Sequence, residues 1–288
     1  YASGVVGMLG LAYLRGWEPG TGLAGALAYS EVSHYSLSVL PMFILIGYLA
    51  FFAGLTQGAF AAARAWFGWL PGGLAVATVF ATAGFAAVSG ASTATAAVFS
   101  RVAIPEMLKY GYDKRLAAGV VAAGGTLASL IPPSAILVIY AIIVEQSVGA
   151  LLLAGFIPGG ISALVYAGVI VFRCKMWPQL GAPIRGTTWN ERIRATPGAF
   201  PIIIVVAIIL GGIYSGWITP TETGAAGAAV IFLMALMRKV RTGTGMTRDD
   251  LGEALMETSK ITVMIFTVIW GVLIYVRFLG FTGLPDHF

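Results

Sequence analysis

Side chains that bind metals or form cross-links are scarce in these 288 residues. There is one cysteine, Cys174, and two histidines, His34 and His287. One thiol builds no disulfide framework and no thiolate cluster for zinc or iron–sulfur. Two imidazoles so far apart in sequence suggest no metal pair. Charge is also scarce: Lys, Arg, Asp and Glu make up 10% of the chain, against about 25% in a soluble domain, while 58% is hydrophobic. The mean hydropathy is +0.89. Such a chain cannot cover a water-facing surface, which excludes an ordinary soluble enzyme and a disordered protein. No terminal stretch has the form of a cleaved signal. Position 1 is Tyr and the chain stops soon after an apolar segment, so the sequence reads as a piece cut at both ends. Glycine, by contrast, is abundant: 38 residues, about twice the usual share, with no Gly-X-Y period. Within apolar runs such small residues let helices approach closely in lipid. The class is an all-α polytopic membrane protein.

A helical crossing needs about 20 apolar residues. Residues 1–14 (partial), 36–54, 116–143 (interrupted), 148–172, 198–217, 223–238 and 260–278 give about seven. Between Pro71 and Met107 the pattern differs. Leu74–Val88 and Ala94–Met107 are each short for a full crossing, and Ser89-Gly90-Ala91-Ser92-Thr93 joins them. This predicts a re-entrant hairpin, since irregular backbone at membrane depth survives only against protein or a water-filled cavity.

The charges orient this topology. With an even number of passes over 71–107, one side carries 15 of the 17 Lys and Arg residues, leaving Arg15 and Arg277. By the positive-inside rule that side is cytoplasmic. The net charge of +5 therefore reports topology, with the lipid bilayer as partner and no nucleic acid. Trp17, Trp66, Trp69, Trp177, Trp189 and Trp217 fall at segment ends, as interfacial aromatics do.

Several polar residues have structural explanations. Thr219-Pro220-Thr221-Glu222 reads as a capping box. Thr247 to Asp250 is a weaker one, opening a cytoplasmic amphipathic helix with Leu251, Ala254, Leu255 and Thr258 on one face. Glu145 reads as a solvated outer-rim carboxylate, His34 as a solvated outer-loop residue and Cys174 as an inert thiol at a helix end.

No Asp, Glu, Lys or Arg stands mid-crossing, which argues against a proton relay or voltage sensor. Chemistry is left to two broken helices. At the hairpin tip, Ser89, Ser92 and Thr93 offer hydroxyls, Gly90 gives backbone freedom, and the arm starting near Ser92 presents N–H groups to an anion. The second break is Gly124-Gly125-Thr126-Leu-Ala-Ser129-Leu-Ile-Pro132-Pro133-Ser134. Two prolines cannot donate, so the carbonyls of Ala128 and Ser129 lose their i+4 partners. Those carbonyls, with the hydroxyls of Thr126, Ser129 and Ser134, are oxygen ligands for a hard cation. Secondary transporters build sites from such breaks. The candidate substrate set is Ser89, Gly90, Ser92, Thr93, Pro132, Pro133 and Ser134. The candidate Na⁺ set is Ser89, Ser92, Gly124, Gly125, Thr126, Ala128 and Ser129. Proline kinking with small-residue packing is the competing explanation.

These residues also resemble a known family. Val88 to Ala97, Ile104-Pro-Glu-Met107, Gly111-Tyr-Asp-Lys-Arg-Leu-Ala117 and Ala122 to Ser134 look like the large membrane subunit of TRAP transporters, the DctM or SiaM type. Pro41 to Gly47, Glu145-Gln-Ser147, Ala154 to Gly159 and Gly216 to Glu222 extend the likeness along nearly the whole chain. The resemblance implies Na⁺-driven uptake of an organic acid, with no other cofactor, through the cytoplasmic (inner) membrane of a bacterial-type cell. A periplasmic substrate-binding protein delivers the substrate and a small four-helix membrane subunit assists. It also implies an elevator built on an inverted repeat. Residues 1–70 and 144–259 would then be scaffold-type, 71–143 half of a transport domain, and 260–288 the start of its second half. Gly47 with Gly54-Leu55, and Gly271 with Gly283-Leu284, hint at the repeat at an offset of about 225 residues. At that offset a second hairpin would lie beyond the last residue. One departure is Ala91, where the family usually has serine. The alternatives are a one-component Na⁺/organic-anion symporter, which needs no binding protein, and an intramembrane enzyme. No Ser–His or Asp–Asp pair within the crossings supports the latter.

Overall fold

A computed structural model describes residues 1–32, 35–184, 186–242 and 245–283. His34, Arg185, Leu284 and His287 lie outside the described residues. Every regular element among those described is helical. The chain divides into two compact units, Tyr1–Ser38 with Met256–Phe288, and Val39–Leu255.

In the smaller unit, α1 (Ala2–Arg15) packs on α13 (Arg248–Phe281) through a glycine stripe. A Cβ on Gly4 would lie 2.9 Å from the Gly271 Cα, and one on Gly7 would lie 2.7 Å from the Tyr275 Cα. Such contact replaces the hydrophobic drive that lipid does not provide. α2 (Trp17–Val32) follows, over residues that the sequence pattern assigns to no crossing. Glu18 and many small residues hold its hydropathy below that of a crossing. Its partners are specific all the same: Leu11, Ala24, Leu27 and Ile274 form a buried cluster, and the Trp270 indole N–H donates to the Ala24 carbonyl at 2.8 Å.

In the larger unit, α3 (Val39–Phe52) and α4 (Leu55–Phe67) bend by 70° at Gly54, which is left-handed at φ 75. Arg238 from α12 (Pro220–Thr242) donates to the Ala53 carbonyl at the end of α3, 3.0 Å away. This meets an acceptor the bend would otherwise leave free. The hairpin arms are α5 (Gly73–Ser89) and α6 (Ser92–Lys109). Phe85 and Phe99 meet edge to face between them at 5.8 Å. The predicted interrupted crossing is α7 (Lys114–Thr126), a 3-10 turn (Leu127–Ser129) and α8 (Ala135–Ile143). α9 (Val148–Met176) is unbroken. α10 (Trp189–Ala195) continues through a 3-10 turn to Gly198, and this arm bends by 46° against α11 (Phe200–Ser215). The amphipathic helix expected after Thr247 runs on without interruption into the last crossing as α13.

By length and composition, three helices among the described residues can cross a membrane alone: α9, α12 and α13. Counting each bent pair as one span gives five. This is fewer than the apolar runs alone suggest, because α1 has 14 residues and the Pro-Pro interruption divides 116–143 into helices of 13 and 9. The protein is a multi-pass membrane protein.

Candidate functional site

The tip turns in two residues. Gly90 is left-handed (φ 61, ψ 0) and its N–H caps α5 at the Ala86 carbonyl; Ala91 is extended and α6 starts at Ser92. The Thr95 hydroxyl donates to the Ala91 carbonyl at 2.9 Å, which uses its only hydrogen. In the 2.8 Å contact between Ser89 and Thr95 hydroxyls, Ser89 is therefore the donor. Ser89 is 1% exposed and keeps its lone pairs. No side chain caps the start of α6. Ser92 is half-buried there and Thr93 exposed.

This tip is seated on the second break. The Ala135 N–H, at the start of α8, donates to the Gly90 carbonyl at 3.0 Å. A Cβ on Gly90 would lie 2.4 Å from the Pro133 carbonyl oxygen. On the other side, a Cβ on Gly47 of α3 would lie 2.7 Å from the Ser89 Cβ. Gly125 approaches Ser92 in the same way, with 3.2 Å from a built Cβ to the Ser92 carbonyl oxygen. Gly124 lies against Thr82, whose hydroxyl would be 2.5 Å from a Cβ there. Glycine is needed at each place because main chain or a buried side chain occupies the space.

Within the break, Pro132 and Pro133 are joined by a cis peptide, and both are buried. The Ser134 hydroxyl, fully buried, donates to the Ser129 carbonyl at 3.0 Å, restoring one partner the prolines remove. Ala128 is also fully buried, and its usual i+4 donor is Pro132, which has no N–H. From α9, Gly155 and Gly159 close over the break. Their built Cβ atoms would lie 2.3 Å from the Leu130 carbonyl oxygen and 2.6 Å from Ile131.

The fold thus brings together Ser89, Gly90, Ser92, Gly125, Pro133 and Ala135. It does not bring the Thr126 hydroxyl to them. That group donates to the Ala123 carbonyl at 2.7 Å and lies 3.2 Å from the Tyr166 hydroxyl on α9. Thr93 faces outward at the tip. One participant, Gly47, escapes a sequence reading. Thr95, which closes the predicted tip of Ser89–Thr95, belongs to neither candidate set although its hydroxyl accepts from Ser89. Gly47 meets Ser89 only through the tertiary fold. No group of three or more His, Cys, Asp or Glu residues able to hold a metal occurs among the described residues.

The other polar motifs resolve as local structure. Glu222 accepts from the Thr219 N–H at 2.7 Å, and the Thr219 hydroxyl accepts from the Glu222 N–H at 3.3 Å, completing the capping box. Thr247 and Asp250 repeat it. Cys174 is 2% exposed and packs against Gly72. At the hairpin base, Tyr112 accepts from the Leu74 N–H and donates to the Ala182 carbonyl. Burial, opposed by the Leu74 hydrogen bond and reinforced by Cys174, pushes its hydroxyl pKa up from 10.0 to about 12.

Residues 4–288 match the family described as the tripartite ATP-independent periplasmic transporter, DctM component. Among curated relatives, the C4-dicarboxylate TRAP transporter large permease protein DctM of Pseudomonas aeruginosa is 34% identical, over 98% of this chain and 65% of its own length. The sialic acid TRAP transporter large permease protein SiaM of Vibrio cholerae is 31% identical, over 89% of this chain and 58% of its own. The ectoine/5-hydroxyectoine TRAP transporter large permease protein UehC of Ruegeria pomeroyi is 30% identical, over 88% and 58%. The chain spans less than two thirds of the length of each of these relatives.

Proposed function

The chain belongs to the DctM component family of tripartite ATP-independent periplasmic transporters, a family of transporters and not enzymes, and from that premise we propose that it forms the larger part of a Na⁺-coupled permease importing a small organic acid. The observation that carries this reading is the hydrogen bond from the Ala135 N–H to the Gly90 carbonyl, which joins two interrupted helices. Around that junction stand neutral oxygens and an uncapped helix start. The start of α6 at Ser92 offers N–H groups to a carboxylate. Ser89 and the carbonyl of Ala128 offer oxygen to a monovalent cation, and the absence of a carboxylate in this set disfavours a divalent ion. Thr126 joins through its backbone, since its hydroxyl is engaged with α9.

On this reading a periplasmic binding protein delivers the acid and a small membrane subunit completes the assembly in the inner membrane. Relatives named for a C4-dicarboxylate and for sialic acid support an acidic substrate. Residues 71–143 move as half of a transport domain within an elevator, and α1 and the α7–α8 pair complete a seven-pass arrangement. The full-length permease, reconstituted with its small subunit and binding protein, tests this. Ser89→Ala should raise the Na⁺ concentration for half-maximal uptake about tenfold, the effect of losing roughly 1.4 kcal/mol of ligation. Thr126→Ala should stay within about twofold of wild type. Uptake by the wild type that ignores the Na⁺ gradient, or that needs no binding protein, would sink the proposal.

A further inference from the structure

A groove of about 610 Å³ opens between α7 and α9, away from the hairpin tip. Its walls are apolar, with Val120 on α7 and Val165 and Val169 on α9. One end is cationic: Arg115 in the first turn of α7 and Arg173 near the end of α9. Neither arginine makes an ion pair among the described residues. Asp113 shares the mouth, but its Oδ1 accepts from the Arg115 and Leu116 N–H groups as the cap of α7. At the other end stands Tyr166, whose hydroxyl meets Thr126.

Geometry and charge agree on an occupant. From Arg115 to Ala123 the helix rises about 12 Å, most of the roughly 15 Å hydrocarbon depth of one leaflet. The cationic mouth lies on the side holding 15 of the 17 basic residues, the cytoplasmic face, where bilayers expose anionic lipid. The groove floor is open: a Cβ built on Gly119 meets nothing within 4 Å. We propose that this groove binds one anionic phospholipid of the cytoplasmic leaflet. An acyl chain lies along Val120, Val165 and Val169, and the phosphate sits between Arg115 and Arg173.

The test uses the full-length permease, purified and equilibrated with mixed phosphatidylglycerol and phosphatidylethanolamine, with bound lipid counted by native mass spectrometry. The wild type should retain one phosphatidylglycerol in preference to phosphatidylethanolamine. Replacing either arginine with Gln should lower that retention about fivefold, and the pair about thirtyfold. Arg173→Lys should restore most of it. Gly119→Leu starts from a Cβ that meets nothing within 4 Å, projects into the groove, and should displace the lipid while both arginines remain. The proposal is overturned if the wild type holds no lipid because the rest of the chain covers the groove. Equal retention of the two lipids also overturns it, as does retention indifferent to Gly119→Leu.

Discussion

Replacing Gly90 by Ala tests whether the hairpin tip is truly seated on the broken helix. Two costs separate cleanly here. At φ 61 any L side chain occupies the left-handed region, a penalty of roughly 1–2 kcal/mol. In addition the new Cβ would stand 2.4 Å from the Pro133 carbonyl oxygen, which belongs to backbone and cannot rotate away. Relief requires the tip to withdraw by most of an ångström, loosening the Ala135 N–H to Gly90 carbonyl bond, worth about 1 kcal/mol. The sum is about 2–3 kcal/mol. Gly111 supplies the control, because it is also left-handed (φ 76) but a Cβ there meets nothing within 4 Å. Gly111→Ala should therefore pay the conformational penalty alone. The assay is thermal unfolding of the full-length permease in detergent, with uptake measured in parallel. Gly90→Ala should melt clearly below Gly111→Ala and lose transport. Equal melting of the two would refute the seating of the tip on Pro133.

Three other outcomes follow from the same geometry. Tyr112→Phe strands the buried Leu74 N–H and should cost roughly 1–3 kcal/mol in a melt. Because folding raises the hydroxyl pKa from 10.0 to about 12, the native state holds the proton longer than the unfolded state. The stability tied to this group is thus complete below pH 10 and lost as pH rises towards 12, a slope that Tyr112→Phe should abolish. Glu145 is the one non-glycine at positive φ among the described residues (φ 54), and the Gln146 N–H closes back to the Ala141 carbonyl. Glu145→Gly should accordingly raise stability by about 1 kcal/mol, and a lower melting temperature would contradict this. In a Cys174→Ser background, an impermeant thiol reagent added from outside should modify Gln146→Cys and spare Thr187→Cys; the reverse pattern would invert the topology.

The hairpin and the Pro-Pro break were legible because both are local. Two apolar runs too short to cross, a Ser-Gly turn and consecutive prolines each constrain the backbone within a few residues. α2 was not legible, since its composition is too mild for a crossing and its helix depends on Leu11, Ile274 and the Trp270 hydrogen bond, all remote in sequence. The side-chain geometry of the site was legible only in part. Thr126 stands one residue beyond Gly125, and one residue turns a helix by about 100°. If Gly125 is the face that meets Ser92, Thr126 must point elsewhere, and it points to Tyr166. Oxygen-rich composition identifies a segment, but helical phase decides which oxygens converge.

The same phase explains the abundance of glycine. Gly47 and Gly125 abut the tip, Gly90 within the tip abuts Pro133 of the break, and Gly155 and Gly159 abut the break from α9. The i, i+4 spacing of the last two places both on one face of that helix. In lipid, burying apolar surface brings helices together only weakly, so association relies on close packing. Close packing and one hydroxyl also cover carbonyls within the break. Gly155 covers the Leu130 carbonyl, Ser134 supplies the Ser129 carbonyl, and the tip covers Pro133. A larger residue at Gly155 would force α9 away from Leu130, where a built Cβ already falls 2.3 Å from the carbonyl oxygen. The glycines are thus what lets the tip, the break and α9 approach to backbone contact.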